Sequence, residues 1–430
     1  MKNKSYSKLL ILVLILIISN LVFPFFSYAD QDIPEIHCPS ALLMDYRTGK
    51  ILYEKNIDER RYPASLTKIM TAIIILENYK LDETAEVSYN AVMSISMGYS
   101  TANLQIGEIL TIEQLLNVLM VGSSNDAAIV LAEHLSGSVE EFCKLMNSKA
   151  VELGCTNTNF VNPNGEHDEN HYSTARDLSI ITKYAMQNEE FRKLASTTSY
   201  QLPITNKYDR EDRLFTTSNA LLIVNNNTRA DNYYYKYATG IKTGFTTPAG
   251  NCLVASANKG DLELIAIVLG GGQTNEGLSE RYVDTKNLFE YGYSNYLLRK
   301  IIQEGGIVQT IDIKNATRDT KQLDVISAKD IYVLCKQEEK NLPVMPEVTL
   351  KENIKAPIKK GDVVGKVKYT VDGIEYEENL LANNDVKKSY WFIRILIYSF
   401  IILIILLYLD YRRRILKRKK ALRKKYGGTY

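Results

Sequence analysis

Histidine is scarce in this chain, at four among 430 residues, and none falls within the short segments that carry the strongest chemical signal. His167 and His171 stand four apart, a spacing that holds zinc on a helix. No Glu follows His167 as H-E-x-x-H would require, and the preceding Asn162-Pro163-Asn164-Gly165 marks a loop, so no metal is expected. Cysteine is also thin. Cys38, Cys143, Cys155, Cys252 and Cys335 are widely spaced, odd in number and without a C-x-x-C pair, which excludes a metal ribbon and a full disulfide framework. They read as small buried hydrophobes, with a single disulfide left open. No internal repeat is present, and long apolar runs are confined to the two ends.

Those ends fix where the rest works. Lys2, Lys4 and Lys8 precede an apolar run over 9–18, and Ser27-Tyr28-Ala29 resembles a signal-peptidase site, so 1–29 is expected to be a signal peptide. No cysteine lies near that site, which argues against a lipid anchor there. At the other end, 390–409 is about twenty mostly apolar residues, long enough to span a bilayer, with Trp391 at one edge and Arg394 near enough to the surface to snorkel. A span is assigned to 389–410. The tail, 411–430, holds ten of the 52 basic residues, which directs it to the cytoplasm and the main body outside. The net charge of +2 therefore conceals an acidic exterior and a basic tail. Beside a membrane, that tail suits anionic lipid better than nucleic acid.

Between the ends lie three short motifs in fixed order: Ser65-Leu66-Thr67-Lys68, Ser123-Ser124-Asn125 and Lys242-Thr243-Gly244. They supply a hydroxyl nucleophile, an amine able to deprotonate it and a cation able to hold a carboxylate. The patterns recur by chance, since Ser5 to Lys8 and Ser256 to Lys259 also read S-x-x-K. Context separates them. Pro63-Ala64-Ser65 leads into an apolar helix expected over 66–79, which puts Ser65 at a helix start, where the macrodipole favours negative charge, and Lys68 one turn on along the same face. Thr111-Ile112-Glu113-Gln114 opens a helix with a capping box, and Gly122-Ser123-Ser124 breaks it, presenting Ser123 and Asn125 on a loop. Lys242 begins an apolar strand, and Gly244 removes a side chain where a ligand backbone would approach.

These motifs, with Tyr62 to Thr71, Gly122 to Ala128, Asn162 to Gly165 followed by His167 to Asp177, and Lys242 to Ala257 with Gly270-Gly271, resemble the serine D-alanyl-D-alanine carboxypeptidases, the low-molecular-weight penicillin-binding proteins. The resemblance implies that Ser65 attacks the carbonyl between the two terminal D-alanines of a peptidoglycan stem peptide, with Lys68 as base. Ser123 would relay a proton to the leaving amine, and Asn125 would hold Lys68 and the substrate amide. Lys242 and Thr243 would bind the terminal carboxylate. The backbone N–H groups of Ser65 and Phe245 would form the oxyanion hole, and Gly244 would give clearance. Arg281, seven residues before Leu288 and shortly ahead of the expected closing helix, would add a second cation for the carboxylate. β-Lactam antibiotics would acylate the same serine; no cofactor is implied. Glu166 lies between the second and third motifs, where a class A β-lactamase keeps its deacylating Glu, and departs from the carboxypeptidase pattern.

The expected architecture is α+β: a serine β-lactamase/DD-peptidase-like domain over 30–300, with an antiparallel sheet flanked by helices and a closing helix over 288–300. A small all-β domain over 301–388 precedes the transmembrane helix. A membrane-anchored β-lactamase of the same fold and a non-catalytic β-lactam- or peptide-binding module are the competing readings.

Overall fold

The computed structural model describes residues 33–224 and 233–427. The expected signal peptide at 1–29 lies outside them. Two compact units emerge, one running up to Leu298 and taking back Lys336–Lys340, the other comprising Arg299–Cys335 and everything from Asn341 onward.

The first unit is organised by a five-stranded antiparallel sheet. Its order is Ile51–Lys55, Ser40–Asp45, Leu262–Gly271, Gly250–Lys259 and, at one edge, Ala238–Thr246. The central strands are near-continuous apolar runs because both faces are covered. Successive side chains point to opposite faces. Leu42, Met44, Ile265 and Ile267 join the large helical core. Leu43 and Leu264 lie on the other face, under helix Glu280–Asn295, which sits so close that a Cβ added at Gly292 would be 2.6 Å from Leu264 and 2.9 Å from Leu43. Around Lys68–Asn78, buried from Lys68 to Ile75, pack Ile112–Met120, Asn125–Ser136, Val139–Glu152 and Ala175–Ala185. The capping box of Thr111 and Gln114 forms as its sequence indicates.

Three local expectations are corrected. The closing helix is Glu280–Asn295, not 288–300, and the chain then turns into strand Tyr296–Ile302. Arg281 therefore sits in that helix's first turn rather than ahead of it. Its early turns carry Glu280, Arg281 and Lys286 among Tyr282, Asp284 and Thr285, a polar text that hides a helix whose buried face is partly hydrogen-bonded. Ser65 lies within a single 3₁₀ turn, Ala64–Thr67, that feeds the α-helix. Asn125 is the first residue of its helix rather than part of the loop, with Ser124 at the cap. All five cysteines are free and buried.

The second unit holds a five-stranded antiparallel sheet in the order Ile307–Asp312, Gln322–Ser327, Ile374–Ala382, Val363–Val371 and Glu347–Leu350. Leu323, Val325, Val333, Val367 and Leu380 form its core. Its other face carries cross-strand pairs such as Lys366 with Glu377. The chain ends in one 36-residue helix, Trp391–Tyr426, with exposed apolar side chains along its first half.

Candidate active site

The three motifs converge on one cleft of about 500 Å3, lined by Ser65, Ser123, Asn125, Thr243, Gly244, Phe245 and Arg281 among others. Lys68 lies beneath it, fully buried. Its Nζ is 3.0 Å from Ser65 Oγ, 2.6 Å from Asn125 Oδ1 and 2.6 Å from the carbonyl oxygen of Asn164. Burial first, then the charge of Lys242, holds the Lys68 amine well below the usual lysine range; Asp126 and Glu166 oppose this. Carbonyl oxygens can only accept. A neutral amine has two N–H donors, so once both are given to Asn125 and Asn164 its lone pair is left facing the Ser65 hydroxyl.

The second pair is Lys242 and Ser123, with Nζ 3.0 Å from Oγ. Burial and the nearby Arg281 push the Lys242 amine down to about 7. Thr243 is hydrogen-bonded through its hydroxyl to Ser218. Arg281 reaches over the edge strand, with Nη1 3.3 Å from the Gly244 carbonyl oxygen. Lys242, Thr243 and Arg281 thus gather at one end of the cleft, a cationic corner suited to a carboxylate.

Close approach explains two glycines. A Cβ on Gly244 would lie 2.9 Å from the Pro63 carbonyl and 3.3 Å from Ser65 N, so the edge strand passes beside the Ser65 amide. Gly165, at φ +81°, admits even less, because a Cβ there would lie 1.9 Å from the Ala64 carbonyl oxygen. Ala64 and Ser123 themselves take positive φ, 48° and 55°. Such conformations cost about 1–3 kcal/mol each and persist only where surrounding packing enforces them.

Sequence reasoning missed Asn164 and Ser218. The Asn162-Pro163-Asn164-Gly165 loop reads as a turn, but nothing in it announces a carbonyl aimed at an amine. Asn162 shapes that turn, its Oδ1 accepting from Gly165 N and its Nδ2 donating to the Glu166 carbonyl. Glu166 is half-buried, does not line the cleft, and acts on Lys68 only through its field. His171 is structural. Its Nδ1 accepts from Val161 N, so Nε2 donates to Thr67 Oγ1 at 2.7 Å, and burial lowers its pKa to about 4. His167 is exposed, its ring edge-on to Tyr62.

The family model described as D-alanyl-D-alanine carboxypeptidase matches residues 27–273, and that for the penicillin-binding protein 5 C-terminal domain matches 296–388. The chain belongs to the D-alanyl-D-alanine carboxypeptidase family. It is 35% identical over 356 residues to D-alanyl-D-alanine carboxypeptidase DacF of Bacillus subtilis, covering 81% of this chain and 86% of that one. The structure of penicillin binding protein 5 from Haemophilus influenzae matches at TM-score 0.63 and 30% identity, over 83% of this chain and 99% of that one. The Streptomyces K15 DD-transpeptidase matches at TM-score 0.54 and 32% identity, over 60% of this chain and 98% of its own.

Proposed function

We propose that this chain is a membrane-anchored serine D-Ala-D-Ala carboxypeptidase that removes the terminal D-alanine from peptidoglycan stem pentapeptides. The three-way coordination of the Lys68 amine carries the reading. Lys68, neutral, takes the proton of the Ser65 hydroxyl as Oγ attacks the carbonyl of the penultimate D-alanine. The N–H groups of Ser65 and Phe245 hold the developing oxyanion, a contribution of about 3–4 kcal/mol per donor in comparable sites. Ser123 relays a proton to the departing amine, and Lys242, Thr243 and Arg281 hold the carboxylate of the leaving residue. Asn125 keeps Lys68 in place and faces the substrate amide. Water then hydrolyses the ester, and Ser65 recovers its proton. A β-lactam, whose strained amide sits at the same carbonyl position, acylates Ser65 and blocks the site.

The C-terminal helix is read as a single span with its basic end in the cytoplasm, which leaves both folded units outside. A 36-residue helix measures about 54 Å, longer than the hydrocarbon core of a bilayer. The match of 296–388 to the penicillin-binding protein 5 C-terminal domain supports a wall-directed peptidase over a β-lactamase.

Release of D-alanine from a stem pentapeptide, measured with and without penicillin, tests the reading. Release that penicillin abolishes is expected; no release from the intact enzyme would sink it.

A further inference from the structure

A second cavity of about 360 Å3 adjoins the cleft. It is lined by Arg60, Arg61, Tyr62, Glu169, Tyr172, Pro248 and Ala249. Pro248 also lines the catalytic cleft, and Tyr62 packs against His167 of that cleft with ring centroids 4.7 Å apart, so the two spaces share a wall.

The chemistry of this cavity is zwitterionic. Arg60 lies over the Tyr172 ring, its Cζ 4.5 Å from the centroid, with Nη2 3.2 Å from Asn157 Oδ1. Arg61 gives Nη2 to Glu59 at 2.8 Å, while its Nε is buried with no hydrogen-bond partner among the described residues. A buried guanidinium donor left unmatched is costly, and an incoming acceptor would relieve it. Exposed Glu169 supplies the one carboxylate in the lining.

Its position relative to the reaction follows from strand direction. The strand Ala238–Thr246 is the sheet edge, where an extended peptide can add by main-chain pairing. With the substrate carboxylate at Lys242 and Thr243 and its scissile carbonyl at Phe245, the peptide runs antiparallel to the strand. Residues upstream of the scissile bond are then carried toward the turn at Thr247 and Pro248, at about 3.4 Å per residue. That direction leads the third stem residue, next upstream of the acylated D-alanine, toward Pro248, which borders the Arg60–Arg61–Glu169 cavity.

We propose that this cavity is a specificity subsite for a third stem residue whose side chain ends in both an ammonium and a free carboxylate, as in a diaminodicarboxylic acid. Arg61 Nε and Arg60 take the carboxylate, Glu169 takes the ammonium, and Tyr62 packs the methylene stem. This rests on the carboxypeptidase reading.

The test compares kcat/KM for D-alanine release from three pentapeptides that differ only at residue three: a diaminodicarboxylic acid with both groups free, the same residue with its side-chain carboxylate amidated, and lysine. The first is expected to exceed the others about tenfold, the scale of one charge-assisted hydrogen bond. In Arg61→Gln and, separately, Glu169→Gln, that ratio falls toward one. A folding defect lowers all three rates together and leaves the ratio intact, so a ratio that survives in both variants overturns the subsite. Equal kcat/KM on all three peptides in the unmodified enzyme overturns it as well. No release from any of them would instead overturn the carboxypeptidase reading, and the subsite with it.

Discussion

On the proposed mechanism Lys68 and Lys242 have opposite tasks, and burial serves them differently. A base must be neutral, and full burial, with the charge of Lys242 beside it, holds the Lys68 amine well below the usual lysine range. A carboxylate-binding cation must stay charged, and Lys242, pushed down to about 7, is only marginally so before substrate arrives. Protonation of Lys68 as pH falls removes the base; deprotonation of Lys242 as pH rises through about 7 removes the cation. kcat/KM, which reports the free enzyme, is therefore expected to be bell-shaped, with its alkaline limb near that value. Arg281→Gln removes a like charge that depresses Lys242, so the alkaline limb should move to higher pH while KM rises. An unmoved limb would show that Arg281 does not act on Lys242.

At the scale of elements, the site is a meeting of one 3₁₀ turn, one helix start, one edge strand and one glycine loop. Gly165 is where the loop and the turn touch. Gly165→Ala places a Cβ against the Ala64 carbonyl at a positive φ, so a loss of more than about 1 kcal/mol of stability is expected, from thermal unfolding, together with slower acylation of Ser65. Unchanged values of both would mean that the loop yields freely. The motif residues were legible because each sits where a local signal is strong: a proline-led helix start, a capping box, an apolar strand. The sheet, the helical core and the second β unit were legible from hydrophobic patterning, though with boundaries a few residues off. Helix Glu280–Asn295 was not, because its first turns are polar, and Asp284 and Thr285 there are buried in hydrogen bonds that no sequence period reports. Asn164 escaped for a related reason: its contribution is a backbone carbonyl, which any residue possesses, and only the fold says where it points.

At the scale of the whole molecule, chemistry and attachment are separable. Nothing in the three-motif site draws on the terminal helix, so a chain ending at Lys388 should release D-alanine at the full rate. It should also move from the membrane fraction to the soluble one on fractionation. Persistence in the membrane would place the anchor elsewhere. What the molecule as a whole delivers, on this reading, is a neutral lysine beneath a serine on the outer side of a membrane. The acylation rate of Ser65 by a fluorescent penicillin, compared between the intact enzyme and Lys68→Ala, addresses that pair most directly. A fall of about 10²–10⁴-fold is expected, the range over which a positioned general base acts. A normal rate in the variant would contradict it and move the base to another residue.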